Sequence, residues 1–202
     1  MTKLSKSFVF YMKNYQTMQA LNEFDELNED EINVLFEGSG FSNAAKMVDA
    51  VTAKATQTGY DILSRIGRSL EEKFKFKARS RSDTVRDYWY IECWMHEKKP
   101  EKGNGYVIKV EIFDYDLNPE NKAIGLLTCS IYDTREKGTA NLYNLFKNNL
   151  KNNYEDVFWP NEWPIFDALI LEDEDEEKIV EEFTQGLSKV LNKESLEKLS
   201  DK

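Results

Sequence analysis

The chain is poor in the residues that most catalytic and metal sites need. It has one histidine and two cysteines among 202 residues. Every imidazole-dependent scheme must therefore run through His96, which stands beside Glu97, Lys98 and Lys99 at the end of a strand-like run, an ordinary place for an exposed rim residue. One His and two separated Cys make no recognised zinc ligand set. No serine stands in a G-x-S-x-G elbow, and neither cysteine has a plausible base. No apolar run approaches the ~20 residues that span a bilayer. The stretch "FVFYM" near the N-terminus is short and quickly interrupted, and no small-residue cleavage site follows, so it does not read as a signal peptide. Excess positive charge is also lacking, since 27 Lys and Arg face 37 Asp and Glu for a net charge of -10. Such a field repels phosphate and argues against a general polyanion binder, while leaving room for a local basic patch. The expectation from these absences is a cytoplasmic protein with no membrane association and no implied cofactor.

What is present describes a folded α+β chain. Hydrophobic residues make up 41% and aromatic residues 13%, enough for one sizeable core at this length. Residues 1–72 read as helical. Leu4, Phe8, Tyr11, Tyr15 and Met18 recur at the spacing of one helix face. The segment "EFDELNEDEI" holds six carboxylates between residues 23 and 31, where Asn28 can cap a short helix with Glu31 three residues on. In "EGSGFSNAAK", Gly38, Ser39, Gly40 and Ser42 precede a helix with Lys46 one turn in. Backbone amides there could cradle an anion, but no strand and no full phosphate-loop pattern precedes them, so a serine-capped helix entry is the better reading. Ala45, Val48, Val51 and Ala55 form a narrow small-residue stripe. Gly59 interrupts it, and Leu63, Ile66 and Leu70 continue on what reads as the same bent helix.

From residue 73 the hydrophobic period changes from 3.6 to 2. Four strands are expected, over 73–81, 88–96, 106–115 and 123–132, with a fifth left open. Their connections carry turn signals, Asn104-Gly105 and Asn118-Pro119 among them, and short loops between successive strands imply an antiparallel meander. Leu142, Leu145, Phe146 and Leu150 suggest a further helix. "NNYEDVFWPNEWPIF" then reads as an irregular segment, because Pro160 and Pro164 oppose regular structure, with Trp159 and Trp163 as anchors. Ile179, Phe183, Leu187 and Val190 mark a C-terminal amphipathic helix. With no internal repeat and no linker, the expectation is a single α+β domain over 1–202, its helical part at 1–72, its sheet at 73–133, and helices with the Trp/Pro segment at 140–202. Cys93 and Cys129 fall on faces assigned to the core and read as buried thiols, with a cross-strand disulfide left open.

Alternation divides the sheet into an apolar face and a mixed one. The mixed face carries Lys73, Lys75, Lys77, Arg79 and Arg81, then Tyr88, Tyr90, Glu92, Trp94 and His96, then Lys109, Glu111 and Phe113, then Thr128, Ser130 and Tyr132. Cations beside aromatic rings are what a sheet platform for single-stranded nucleic acid would use. A half-solvated face with cross-strand pairing to Glu92 and Glu111 is the commoner outcome. A third outcome docks the cations on the chain's own acidic run, since residues 172 to 182 hold eight carboxylates and one lysine. Arg65, Arg68 and Arg86 extend the basic region in sequence.

The acidic run, Glu172, Asp173, Glu174, Asp175, Glu176 and Glu177, has two readings of its own. Such a row can imitate phosphates and occupy the basic groove of a partner, or it can simply solvate a helix start. Exposure and order are the conditions that favour the first. Glu111, Asp114 and Asp116 are weak candidates for a magnesium site near a strand end, suggesting phosphodiester chemistry, although the acid-x-lysine pattern expected of such a nuclease is missing. The functional expectation is a non-enzymatic interaction protein, a regulator or inhibitor that binds a protein partner through charge-patterned surfaces. Its Lys- and Asn-rich vocabulary and small size suit a mobile-element gene. A nucleic-acid-binding module on the basic and aromatic face is the alternative, and a metal-dependent nuclease ranks below both.

Overall fold

The structure is a computed structural model in which residues 3–15, 40–74, 77–83, 88–94, 106–113, 122–133 and 162–191 are described. Helix α1 spans Lys6–Lys13 and helix α2 spans Gly40–Phe74. Strands β1 (Lys77–Asp83), β2 (Tyr88–Trp94), β3 (Tyr106–Phe113), β4 (Ala123–Asp133) and β5 (Glu162–Leu171) follow. Helix α3 (Glu176–Val190) comes after them. The strands form one antiparallel five-stranded sheet in the order β1-β2-β3-β4-β5. The described helices pack together on one of its faces, and the fold is mixed α+β.

Helix α1 begins where Ser5 caps it, its side-chain oxygen accepting from the Phe8 N–H at 3.1 Å. The same hydroxyl lies 2.9 Å from Thr58 Oγ1 and ties α1 to α2. Phe8, Tyr11 and Met12 are buried against the sheet, with the Phe8 and Tyr11 rings 5.6 and 5.4 Å from Trp89 of β2. In α2 the buried residues Ala55, Ile62, Leu63, Ile66 and Leu70 recur at helical spacing and complete the core with Ile91, Val110, Leu127 and Cys129. Helix α3 closes the layer with Ile179, Phe183 and Leu187.

Three local expectations are corrected. Gly59 does not interrupt α2, which is continuous over its 35 residues. A Cβ there would lie 2.6 Å from the Trp89 ring, so the glycine serves close packing of helix on sheet rather than a bend. The first strand does not begin at residue 73. Lys73 and Phe74 end α2, because Phe74 prolongs the Ile66–Leu70 stripe at i+4 and packs half-buried on the core. The alternation "KFKF" fits the end of a helical stripe as well as the start of a strand, and β1 starts at Lys77.

The Trp/Pro segment is the third correction, for its later part forms the regular strand β5. Pro164 is tolerated because β5 is the last strand in the sheet order and the residue sits at a register shift. There the pairing passes from Cys129↔Phe166 to Ser130↔Pro164. The cysteines are both buried and free. Strand β3 separates them, Cys93 standing opposite Ile108 and Cys129 opposite Val110, so they are not cross-strand neighbours. Two strand spacings, about 10 Å, exceed the reach of a disulfide. Met18, the segment around Asn28, the 142–150 helix, and Trp159 and Pro160 lie outside the described residues.

Candidate functional site

Residues directly opposite one another in an antiparallel sheet share a face. On the face turned away from the helices, the register builds two polar rows. One runs Arg79–Glu92–Lys109–Ser130 across β1 to β4, and the other runs Arg81–Tyr90–Glu111–Thr128–Asp167 across all five strands. The centre of this face is closed to solvent. Glu111, Thr128, Ser130 and Asp167 are all buried, and so are their apolar neighbours Trp94, Val107 and Leu126. Lys109 Nζ lies 2.5 Å from Glu111 Oε1 and 5.0 Å from the centroid of the Tyr90 ring. An ammonium is thereby held between a carboxylate and an aromatic face, both of which favour a cation. The Thr128 hydroxyl is buried without a hydrogen-bond partner.

Burying groups of this kind is costly. An unmet hydroxyl costs about 1–3 kcal/mol and a buried ion several kcal/mol before its partner repays it. Aliphatic residues at 111, 128 and 167 would pack this face more cheaply. Such a departure from the stable choice is where functional sites are expected.

Of the basic stripe, Lys73 is exposed at the end of α2 and Lys75 lies outside the described residues. Lys77, Arg79 and Arg81 stand on β1 in register with Trp94, Glu92 and Tyr90, and Tyr88 stands opposite Asp83. Trp94 is 4% exposed, so its ring is not an open stacking platform. Of the carboxylates considered for magnesium, Glu111 belongs to the buried row, while Asp114 and Asp116 lie outside the described residues. Asp167 escapes a sequence reading that treats its surroundings as irregular. The available signal was a lone carboxylate inside the apolar run "WPIFDALIL".

The acidic run leads into α3, which contacts α2 and β5, and β5 stands at the opposite end of the strand order from β1. Several members of the run fasten α3 in place. Arg65 of α2 reaches Glu176 at 3.1 Å and Glu177 at 3.6 Å, so this arginine belongs to the helix layer and not to the basic strand. Lys13 pairs with Glu172, an isolated antiparallel backbone β-bridge joins Lys3 to Asp175, and the Glu174 backbone carbonyl accepts from Leu4 N–H at 3.4 Å. Glu174 Oε2 also accepts from the Leu171 N–H at 3.1 Å. Burial pushes the Glu176 carboxyl up from its ordinary value, against the pull of Arg65, with Asp61 adding to the rise. Asp173, Glu177, Glu181 and Glu182 are exposed. The run is thus divided between carboxylates that anchor the helix and carboxylates that project from it. Gly186 assists the anchoring, since any Cβ there would run into the Phe166 ring of β5.

The Cys93 thiol is pushed up to about 12, by burial first and then by Glu71 and Glu92, so it stays protonated and is no nucleophile. Among the described residues no three His, Cys, Asp or Glu side chains gather into a metal-ligand group, and no helix is long and apolar enough to cross a membrane. No protein-family model, curated protein or solved structure matches the chain.

Proposed function

We propose that the chain is a non-enzymatic binding protein, a regulator or inhibitor that engages a basic surface on a protein partner. The contact is made by the outward carboxylates Asp173, Glu177, Glu181 and Glu182. One observation carries this reading: Asp173, Glu177, Glu181 and Glu182 are exposed while α3 is fastened chiefly through Glu172, Glu174 and Glu176, with Glu177 only at the 3.6 Å margin of Arg65. Glu177 and Glu181 stand at i+4 within α3, a rise of about 6 Å, so they share one acidic edge of the helix, while Asp173 lies in the turn that precedes it. A pre-ordered edge loses little entropy on binding, and its field steers a basic partner toward it.

The test is capture of partners from host lysate on immobilised wild type, with and without nuclease and at two salt concentrations. A protein band that survives nuclease and weakens with salt is the expected result. Capture only of nucleic acid, or of nothing, contradicts the reading.

One observation favours nucleic acid as a second reading, namely the alternate placing of Lys77, Arg79 and Arg81 on β1, the first strand in the sheet order. It predicts single-strand binding that falls with salt and is lost in Arg79→Glu with Arg81→Glu. Binding unchanged by that double reversal removes it.

A further inference from the structure

The two outer strands of the sheet are unequally guarded. Strand β1 carries Lys77, Arg79, Arg81 and Asp83, and such charges on an edge discourage further pairing. From Phe166 to Leu171, β5 carries one charge, the buried Asp167. The direction of its backbone groups follows from its last residues. Glu172 N–H donates across to the Lys122 carbonyl at 3.2 Å, so the groups of Leu171 face away from β4. Glu174 takes up both of them. Its Oε2 accepts from the Leu171 N–H at 3.1 Å, and its N–H donates to the Leu171 carbonyl at 3.2 Å. Alternation turns the N–H and C=O of Leu169 to the same outer side. Among the described residues no such cap reaches them, and the Leu169 side chain is 40% exposed. Two exposed carboxylates follow in the chain: Asp173 in the turn that closes this edge, and Glu177 in the first turn of α3.

We infer that the β5 edge receives an extended, basic segment of the protein partner, which pairs antiparallel with β5 at Leu169. Leu169 exchanges both of its outward backbone bonds with the residue opposite. A lysine or arginine toward the start of the segment reaches Asp173 and Glu177, because an antiparallel course places that start at the C-terminal end of β5. Main-chain bonds supply the attachment, and the charges select the partner and its direction. The occupant is not a second copy, since a chain of net charge -10 repels its own kind. The inference rests on the proposed engagement of a basic partner by these carboxylates and adds strand pairing to it.

The probe is the peptide acetyl-Lys-Lys-Val-Thr-Val-Thr-amide, titrated into the full chain and followed by NMR hydrogen exchange. In the free protein the Leu169 amide should exchange quickly, while its neighbour Ala168, bonded into the ladder with β4, is protected. The peptide should slow the Leu169 amide saturably, and added salt should weaken the effect. N-methylation of its valines and threonines keeps the charge, removes the donors and should weaken binding about tenfold. Glutamates in place of the two peptide lysines should abolish binding, and Glu177→Lys with Glu181→Lys should weaken binding of the lysine peptide. A Leu169 amide that the peptide leaves unchanged, or equal binding of the N-methylated peptide, overturns strand pairing and leaves the acidic edge of α3 as the contact. Slowed exchange that ignores both charge reversals overturns the basic segment, and the acidic-edge reading with it.

Discussion

Replacing Lys109 by methionine tests whether the second face of the sheet is truly shut. The Lys109 and Glu111 side chains are 16% and 4% exposed and meet at 2.5 Å. Solvent-exposed ion pairs contribute about 0.2–1 kcal/mol, whereas removing one partner of a buried pair costs about 3–5 kcal/mol. The two members differ in what they leave behind. Lys109→Met takes the ammonium from a carboxylate that is 4% exposed, so a loss near the lower bound, about 3 kcal/mol, is expected. Glu111→Leu leaves an ammonium over the Tyr90 ring on a flexible stem that can swing outward, and about 1 kcal/mol is expected. The double variant removes both charges and adds apolar contact, so it should be more stable than Lys109→Met alone. In a chain of 202 residues each kcal/mol moves the melting midpoint by about 2–4 °C, which places Lys109→Met about 6–12 °C below wild type. Urea unfolding followed by far-UV circular dichroism, with thermal melts beside it, reads all four corners of the cycle. Single variants that each lose under about 0.5 kcal/mol and simply add would refute the reasoning, since only a solvated pair behaves so.

Three further outcomes are expected. Glu176 has a raised carboxyl, so the folded state keeps its proton at a pH where the unfolded chain has lost it. Ionisation across that window weakens the fold. Wild type should therefore lose ground to Glu176→Gln as pH rises through the carboxylate range, and a stability difference that stays flat with pH contradicts this. Gly59→Ala would gain about 1 kcal/mol of helix propensity in isolation. In the protein it should nevertheless destabilise, because the new methyl meets a Trp89 ring already packed by Phe8 and Tyr11, and overpacking costs about 1–3 kcal/mol. A rise in stability on chemical denaturation would show that the ring can yield. Neither Cys93 nor Cys129 should react with a thiol reagent in the native protein at neutral pH, and both should react after unfolding. A mass shift for an intramolecular disulfide under mild oxidation would contradict the strand order.

Much of the architecture was legible in the chain because period and burial coincide. Phe8 and Tyr11, the Ile62–Leu70 stripe and the inward sets Ile91–Cys93, Ile108–Ile112 and Leu127–Ile131 all repeat at the spacing of the element that carries them. The failures arose where one pattern serves two structures. Phe74 belongs to a helical stripe and to an alternating run at once, and Gly59 reads as a break when its function is to admit Trp89. Pro164 conceals β5, since a proline excluded from a central strand is acceptable at an edge and a bulge.

The candidate sites were less legible, because they depend on register. Nothing in the sequence brings Asp167 beside Thr128 or sets Arg65 against Glu176. Sequence shows that residues 172 to 182 are acidic, but the split into anchoring and projecting carboxylates exists only once α3 is seated on α2 and β5.

The most direct measurement compares wild type with Glu177→Lys combined with Glu181→Lys, taking melting temperature and partner capture on the same preparations. Glu181 is exposed, and Glu177 is 52% exposed with one long contact to Arg65, so the melting midpoint should move by no more than a few degrees. Capture of the protein partner should be lost. Undiminished capture by a variant of unchanged stability would contradict the assignment of function to the outward edge of α3.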